Sequence, residues 1–124
     1  LWSIDNSFGG EILIPKIPSY GIMDLANAIG PSCEKKFLGT RFGEKIHEEM
    51  ITKSDSFQTY DIGEYYVILP SNGEIIERYK NIYKNLKKVK KGFFYDSLTN
   101  EKFLTIEQIR ELIKVNIDPN FKPV

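Results

Sequence analysis

Arg41, Glu44 and His47 recur at every third position in the stretch Gly39 to Met50, Gly-Thr-Arg-Phe-Gly-Glu-Lys-Ile-His-Glu-Glu-Met. A guanidinium suits a phosphate, because its planar fork makes paired hydrogen bonds and keeps its charge. A carboxylate accepts hydrogen bonds and suits a pair of sugar hydroxyls. Held together on one bend, Arg41 and Glu44 suit the ribose and diphosphate of a nucleotide sugar. The plainer alternative is a local salt bridge between them. To place them, the short apolar run within Lys35–Gly39 is expected to form a strand. Gly43 then supplies a tight turn, and Glu44 opens a short helix with Ile46 and Met50 on one face.

Other chemistry-bearing residues are weaker candidates. Lys16 follows an apolar strand at its C-terminal end, where open α/β sheets bind ligands. It reads either as a phosphate or sugar contact or as a solvated lysine beside Pro15 and Pro18. His47-Glu48 starts like a zinc-protease motif, but position 51 is Ile51, so the second histidine is missing. His47 is read instead as orienting its neighbours or facing a domain seam. Cys33 reads as a half-buried small residue. Tyr83 and Lys87 have a catalytic tyrosine–lysine spacing, but a Lys/Tyr-rich helix produces it by chance. Lys84, Lys87, Lys88, Lys90 and Lys91 are expected to complement the end of one helix, not to form a nucleic-acid patch.

The positioning elements follow from periodicity. Ile12-Leu13-Ile14 is a continuous apolar run, which suggests a strand buried on both faces in a parallel sheet. Ile22–Ile29 reads as a helix stopped by Gly30 and Pro31. Glu64–Leu69 is a strand, and residues 51–63 read as loop. Ile75, Tyr79, Ile82, Leu86 and Val89 form one stripe, predicting a helix over 74–89. Phe93-Phe94-Tyr95 and Lys102-Phe103-Leu104 read as a hairpin. Thr105 and Gln108 make a capping box for a helix from Ile106 to about Val115. Residues 1–8 suggest either a helix stump that leaves Trp2, Ile4 and Phe8 exposed or a disordered or locally packed end.

Composition sets the bounds. A chain of 124 residues is one domain at most. Its 41% hydrophobic content indicates a globular protein. Lys and Arg number 17, matching 17 Asp and Glu, so neither nucleic acid nor membrane is implied as a partner. A single cysteine forms no internal disulfide and suits a reducing compartment. With no apolar stretch long enough to span a bilayer, a cytoplasmic location is expected. Because the chain starts at Leu1, it is expected to be cut from, or numbered within, something longer.

Four ordered stretches carry a family resemblance. Arg41 to Met50 resembles the Arg-Pro-Gly-Glu-Lys-Leu-His-Glu motif of the inverting UDP-N-acetylglucosamine 4,6-dehydratases, which are extended short-chain dehydrogenase/reductases. Gly9 to Ser19 resembles their Gly-Gly-Glu-Ile-Phe-Val-Pro-Lys-Ile-Pro-Ser, Asp24-Leu25-Ala26 their Thr-Asp-Leu-Ala, and Tyr65 to Pro70 a later strand. Phe42 stands where the family has proline and Met23 where it has threonine.

The resemblance implies an α/β fold: the substrate-binding part of such an enzyme, with short, mainly parallel strands, helices, and a C-terminal hairpin and helix. Residues 1–73 would be the nucleotide-sugar-binding domain and residues 74–124 the extension. The implied substrate-binding residues are Arg41, Glu44, Lys16 and His47, with no catalytic residue and no metal ligand. Intact members oxidise C4 of the sugar with NADP, remove water across C5 and C6, and return the hydride at C6. No Gly-x-Gly-x-x-Gly turn occurs here, so this chain is expected to bind no cofactor and to be inactive without the family's N-terminal Rossmann domain. The expected partners are a UDP-sugar and that domain, with a homo-oligomer left open. A stand-alone nucleotide-binding or protein-interaction module is the alternative.

Overall fold

The computed structural model describes residues 2–124; Leu1, the start of the expected helix stump, lies outside the described residues. Two compact units divide the chain. One comprises the N-terminal segment through Lys16 together with Glu49–Asp96; the other comprises Ile17–Glu48 and Ser97–Val124.

The first unit holds α1 (Trp2–Asn6), β1 (Ile12–Pro15), β2 (Glu49–Ile51), β3 (Thr59–Asp61), β4 (Tyr65–Ile68), α3 (Gly73–Ile82), β5 (Lys87–Lys88) and β6 (Tyr95–Asp96). Four strands form a sheet in the order β1-β4-β3-β5, and β2 pairs with β6. Every one of these pairings is antiparallel, which corrects the expectation of mainly parallel strands. The apolar run in β1 is only partly buried: Ile12 and Ile14 share one face, where Ile14 is 4% and Ile12 58% exposed, while Leu13 on the other face is half-buried against the core. β3 and β4 instead form a tight hairpin around Gly63, whose φ of +98° glycine alone adopts without strain. β1 then adds to the other edge of β4, with Ile12 opposite Ile68 and Pro15 opposite Tyr65.

β4 and the residue after it carry the core. Val67, Leu69 and Tyr79 are buried together, with Leu13, Ile75, Ile76 and Leu86 packed on them. Asn72 caps α3 by accepting the Glu74 N–H at 3.0 Å. The helix expected to reach Val89 stops at Ile82. Beyond it the chain turns, with Leu86 N–H donating to Tyr83 O at 2.9 Å, and β5 pairs with β3. Leu86 still reaches the core, but from beside a strand, so the helical spacing of its stripe misled. Of the five lysines only Lys84 therefore follows the helix end directly. Lys87 and Lys88 occupy the edge strand, where charge discourages pairing with another chain. Tyr83 lies beyond the helix and stacks on Tyr79 at 5.7 Å, which removes its shared helical face with Lys87.

At the chain's start, Trp2 stacks on Tyr65 at 4.2 Å and Phe8 meets Tyr79 edge-on at 5.4 Å, yet Trp2, Ile4 and Phe8 all remain exposed, as expected. Glu11 ties this segment down: its Oε1 accepts from the Phe8 N–H and, at 3.1 Å, from the Tyr79 hydroxyl. Burial pushes the Glu11 carboxyl up, and its Oε2 is buried without a hydrogen-bond partner among the described residues. Backbone donors at Phe8, Glu11 and Gly9 and the Tyr79 hydroxyl outweigh burial and hold the carboxyl below its usual value. Burial first, and then the Glu11 charge, push the Tyr79 phenol well up, so it remains a donor.

The second unit contains α2 (Ile22–Ile29) and α4 (Ile106–Asn116), packed together around Ala28 and Ile109. Both helices match their sequence expectations, and the capping box at Thr105 and Gln108 is formed. Arg110 crosses to the end of α2, donating from Nε to Ala28 O at 3.0 Å and from its guanidinium to Asn27 O at 3.1 Å. A Cβ at Gly30 would lie 2.7 Å from Cys33 Sγ, so that side chain would have to move to admit one. Cys33 itself is exposed, not half-buried. The expected hairpin over 93–104 does not form: Tyr95–Asp96 pairs with β2, and Phe103 makes an isolated parallel bridge with Ser19.

Two measurements check this packing. Leu69→Ala is expected to cost about 2–5 kcal/mol in urea unfolding, the usual range for emptying a full core site. The Glu11 carboxyl titrates below its ordinary value of 4.5 in the folded state, so its contribution is present above that pH and is lost as pH falls through the folded value. Glu11→Gln is therefore expected to flatten the acid limb of the melting-temperature profile. A residual slope should persist from Asp55, held low by Thr52, and Glu107, held low by its own backbone N–H and Thr105.

Candidate functional site

Residues 35–48 of the second unit contain neither the expected strand nor the expected helix. Left-handed backbone at Gly39 (φ +81°) and Gly43 (φ +82°) interrupts both. Met50, the end of the expected helix, and Ile51, read as the start of a loop, are taken instead into β2.

The segment is tied at its ends. Lys35 Nζ donates to Gly30 O at 2.7 Å and Pro31 O at 2.9 Å, just past α2. At the far end, Glu48 N–H donates to Ser97 Oγ at 3.0 Å and Ser97 N–H to Glu48 O at 2.8 Å. Between these anchors lies one tight turn. Glu44 N–H donates to Arg41 O at 3.0 Å, and Gly43 occupies the third turn position, where a positive φ favours glycine. A Cβ on Gly43 would meet nothing within 4 Å, so its requirement is conformational, not spatial.

The Glu44 side chain closes the turn from the other direction, its Oε2 accepting the Arg41 backbone N–H at 2.8 Å. The expected alternative, a salt bridge between the two side chains, is not formed. The Arg41 guanidinium has no hydrogen bond or ion pair among the described residues. Glu44 keeps Oε1 and further lone pairs free, since a carboxylate accepts at about four sites. Both side chains line a cavity of about 890 Å³, walled by Met23 and Ala26 of α2 and by Leu38. That volume lies within the usual range for small-molecule sites, about 300–1,000 Å³. The apolar wall was not legible in the sequence: Met23 stood out there only as a departure from the family's threonine, and its place beside Ala26 on the cavity is set by the fold.

The other two candidates are placed differently. His47 is exposed and is not among the described residues lining the cavity. Lys16 belongs to the first unit and is 24% exposed; its Nζ pairs with Asp61 Oδ1 at 2.7 Å and sits 4.5 Å from the centre of the Tyr66 ring. Asp61 Oδ1 also accepts from the Gly63 N–H at 2.9 Å, so Lys16 braces the β3–β4 hairpin. Among the described residues, no group of three or more His, Cys, Asp or Glu could hold a metal ion, and no helix is long and apolar enough to cross a membrane.

Known proteins share this arrangement of sequence. Residues 1–89 match the family model described as "Polysaccharide biosynthesis protein". The chain belongs to that family. It is 40% identical over 118 residues to a UDP-N-acetylglucosamine 4,6-dehydratase (inverting) of Campylobacter jejuni subsp. jejuni serotype O:2, covering 91% of this chain and 35% of the relative. It is 33% identical over 122 residues to a UDP-glucose 4-epimerase of Rickettsia felis, covering 95% of this chain and 35% of that relative. The structure is similar to the X-ray structure of Pen from Bacillus thuringiensis, with a TM-score of 0.71 and 26% identity over 90% of this chain and 33% of that one. The resemblance read from the motifs therefore holds, and the chain spans about a third of the length of these relatives.

The turn makes a local prediction. Gly43→Ala forces a side chain into left-handed backbone and is expected to cost about 1–2 kcal/mol. Hydrogen exchange should show lost protection at the Arg41 and Glu44 amides with α4 unchanged; unchanged exchange at those two amides contradicts the turn.

Proposed function

We propose that this chain is the nucleotide-binding, C-terminal portion of an enzyme that modifies a UDP-sugar for polysaccharide biosynthesis. The observation that carries the reading is the free Arg41 guanidinium beside a turn-fixed Glu44 carboxylate, both on one open cavity. Arg41 neutralises the diphosphate, and Glu44 accepts hydrogen bonds from the ribose hydroxyls through its unused oxygen. Met23 and Leu38 offer apolar surface to the flat base. His47 is a further contact reached from the end of the turn. A sugar or phosphate contact at Lys16, in the first unit, is a separate proposal and requires release of Asp61.

Relatives named as dehydratases and as epimerases have a UDP-hexose in common. Binding of the UDP-hexose is therefore better supported than either reaction. For the whole protein we favour dehydration of UDP-N-acetylglucosamine to a 4-keto-6-deoxy sugar, on the higher identity to the dehydratase, and a cytoplasmic location. Contacts remote from the reacting carbons contribute by fixing its orientation.

The residues present do not fit NADP. Dinucleotide sites place a pyrophosphate against a glycine-rich turn at a helix N-terminus. At α2 a single glycine, Gly21, precedes the helix, and Asp24 in its first turn puts a carboxylate beside it, which disfavours a pyrophosphate there. Redox chemistry is accordingly assigned to a Rossmann domain elsewhere in the intact protein.

A second reading is favoured by one observation. Phe37, Leu38, Phe42 and Ile46 are 79%, 84%, 110% and 77% exposed around the same turn. A surface of this kind suits a protein partner, and the segment would then serve for assembly.

Titration calorimetry with UDP separates the two. Binding that weakens about 10–100-fold in Arg41→Ala, the loss of one or two charge-assisted hydrogen bonds, supports the nucleotide site. Absence of heat together with concentration-dependent self-association favours the assembly surface. With UDP-N-acetylglucosamine and NADP supplied, no turnover is expected from this chain alone, and dehydration by it contradicts the division of labour.

A further inference from the structure

Most of the lysines expected at a helix end lie instead along β5 and its flanks, and they lie there without counter-ions. Between Glu77 and Asp96 the sequence has no acidic residue. Two cations of that stretch are taken up on α3, where Arg78 pairs with Glu74 at 3.0 Å and Lys80 with Glu77 at 2.6 Å. The side chains of Lys84, Lys87, Lys88, Lys90 and Lys91 make no hydrogen bond or ion pair among the described residues, and all are exposed.

The backbone explains why they face outward. Tyr83, Leu86 and Val89 are the half-buried positions of this stretch. Leu86 N–H donates to Tyr83 O at 2.9 Å, and Val89 N–H donates to Thr59 O at 3.2 Å. These bonds fasten the segment beside β3 and leave its lysines at the free edge of the sheet. Lys87 and Lys88 lie opposite Asp61 and Tyr60, so they diverge to the two faces of that edge. The one carboxylate in this ladder, Asp61, is already held by Lys16 at 2.7 Å and by Gly63 N–H at 2.9 Å. Lys88 and Lys91 stand with Nζ 5.6 Å from the ring centres of Tyr60 and Phe57, and Phe57 is 55% exposed. Blunting a two-residue edge accounts for Lys87 and Lys88, but not for Lys84, Lys90 and Lys91 beyond it.

Like charges held together repel, and a polyanionic partner relieves that repulsion. Three features select among polyanions. The unpaired cations are lysines, flexible point charges with no fork to match a fixed phosphate geometry. They diverge on both sides of an edge, where a broad surface meets them all and a single nucleic-acid strand follows one side. Phe57 adds an exposed apolar ring beside Lys91, which suits an interface with an apolar layer beneath charged headgroups. The balanced charge of the whole chain does not cancel this local surplus, because salt screens charges beyond roughly 8–10 Å.

We propose that the β5 edge, with Lys84, Lys87, Lys88, Lys90, Lys91 and Phe57, docks reversibly on an anionic lipid bilayer. Basic clusters of this size bind acidic headgroups, each lysine near the surface contributing roughly fivefold in affinity. The contact lies wholly in the first unit and does not depend on the nucleotide reading.

Co-sedimentation of the protein with vesicles tests it, using phosphatidylcholine alone and phosphatidylcholine mixed with phosphatidylglycerol, at low and high salt. Wild type is expected to bind the mixed vesicles at least about tenfold more tightly than the neutral ones at low salt, and to lose most of that preference at high salt. The variant Lys84→Gln, Lys87→Gln, Lys90→Gln leaves the ring contacts of Lys88 and Lys91 in place and should lose about tenfold or more. Arginine at the same three positions should bind as wild type does. The control Lys102→Gln, Lys114→Gln, Lys122→Gln removes the same charge from the second unit and should lose less than about threefold. Circular dichroism and thermal melting check that each variant folds. No preference of wild type for the mixed vesicles, a folded β5 variant that binds them unchanged, or an equal loss in the control overturns the proposal. Tighter binding to a single-stranded oligonucleotide than to the mixed vesicles, lost in the β5 variant, overturns the membrane assignment in favour of nucleic acid.

Discussion

Glu44 reaches back to the backbone N–H of Arg41 and not to its guanidinium, and the candidate site depends on that choice. A side-chain ion pair on this exposed turn would gain little, since solvent screens such pairs to within about 1 kcal/mol of zero. It would also occupy the fork that a phosphate needs. Bonding to the amide fixes the turn while leaving the fork open. Gly43 makes this compatible with the backbone, because the left-handed third position lets Glu44 N–H return to Arg41 O at the same time. Two hydrogen bonds between the same two residues thus set where both charged groups begin.

The first unit follows a different constraint, centred on one strand. β4 is paired on both edges, and Val67 and Leu69 bury against Tyr79. Tyr79 joins that apolar packing to a polar anchor, since its hydroxyl donates to Glu11 in the segment leading into β1. The buried hydroxyls elsewhere in the unit are satisfied in the same economical way. Thr59 donates to Asp55 O at 2.7 Å, and Ser56 donates to Lys53 O at 2.6 Å while accepting from Gly92 N–H at 3.0 Å.

The parts that were legible in the sequence are those written in local chemistry. α2 between Ile22 and Gly30, the Thr105–Gln108 capping box and the strand at Tyr65–Ile68 all follow from nearby residues. The turn at Gly43 was legible too, because its requirement is a backbone angle. What failed depended on distant partners. Ile12-Leu13-Ile14 looks the same in a parallel or an antiparallel ladder, and only the β3–β4 hairpin decides which edge it joins. Leu86 keeps helical spacing from Ile82 yet is delivered beside an edge strand pairing with Tyr60 and Asp61. Tyr95 was assigned to a hairpin with its sequence neighbours, but its partner is Ile51, far back in the chain. For the site, Arg41 and Glu44 were recognisable by type and spacing. That Lys16 is held by Asp61, and that Met23 and Leu38 wall the cavity, required the fold.

We propose that the Arg41–Glu44 turn receives the nucleotide. The most direct measurement is an amide chemical-shift titration of isotope-labelled protein with UDP. Progressive, saturable shifts concentrated at Gly39, Thr40, Arg41, Glu44 and Lys45, with the Arg41 amide still bonded to Glu44, are expected. Shifts confined to the first unit, or none near the turn at saturating UDP, would contradict it.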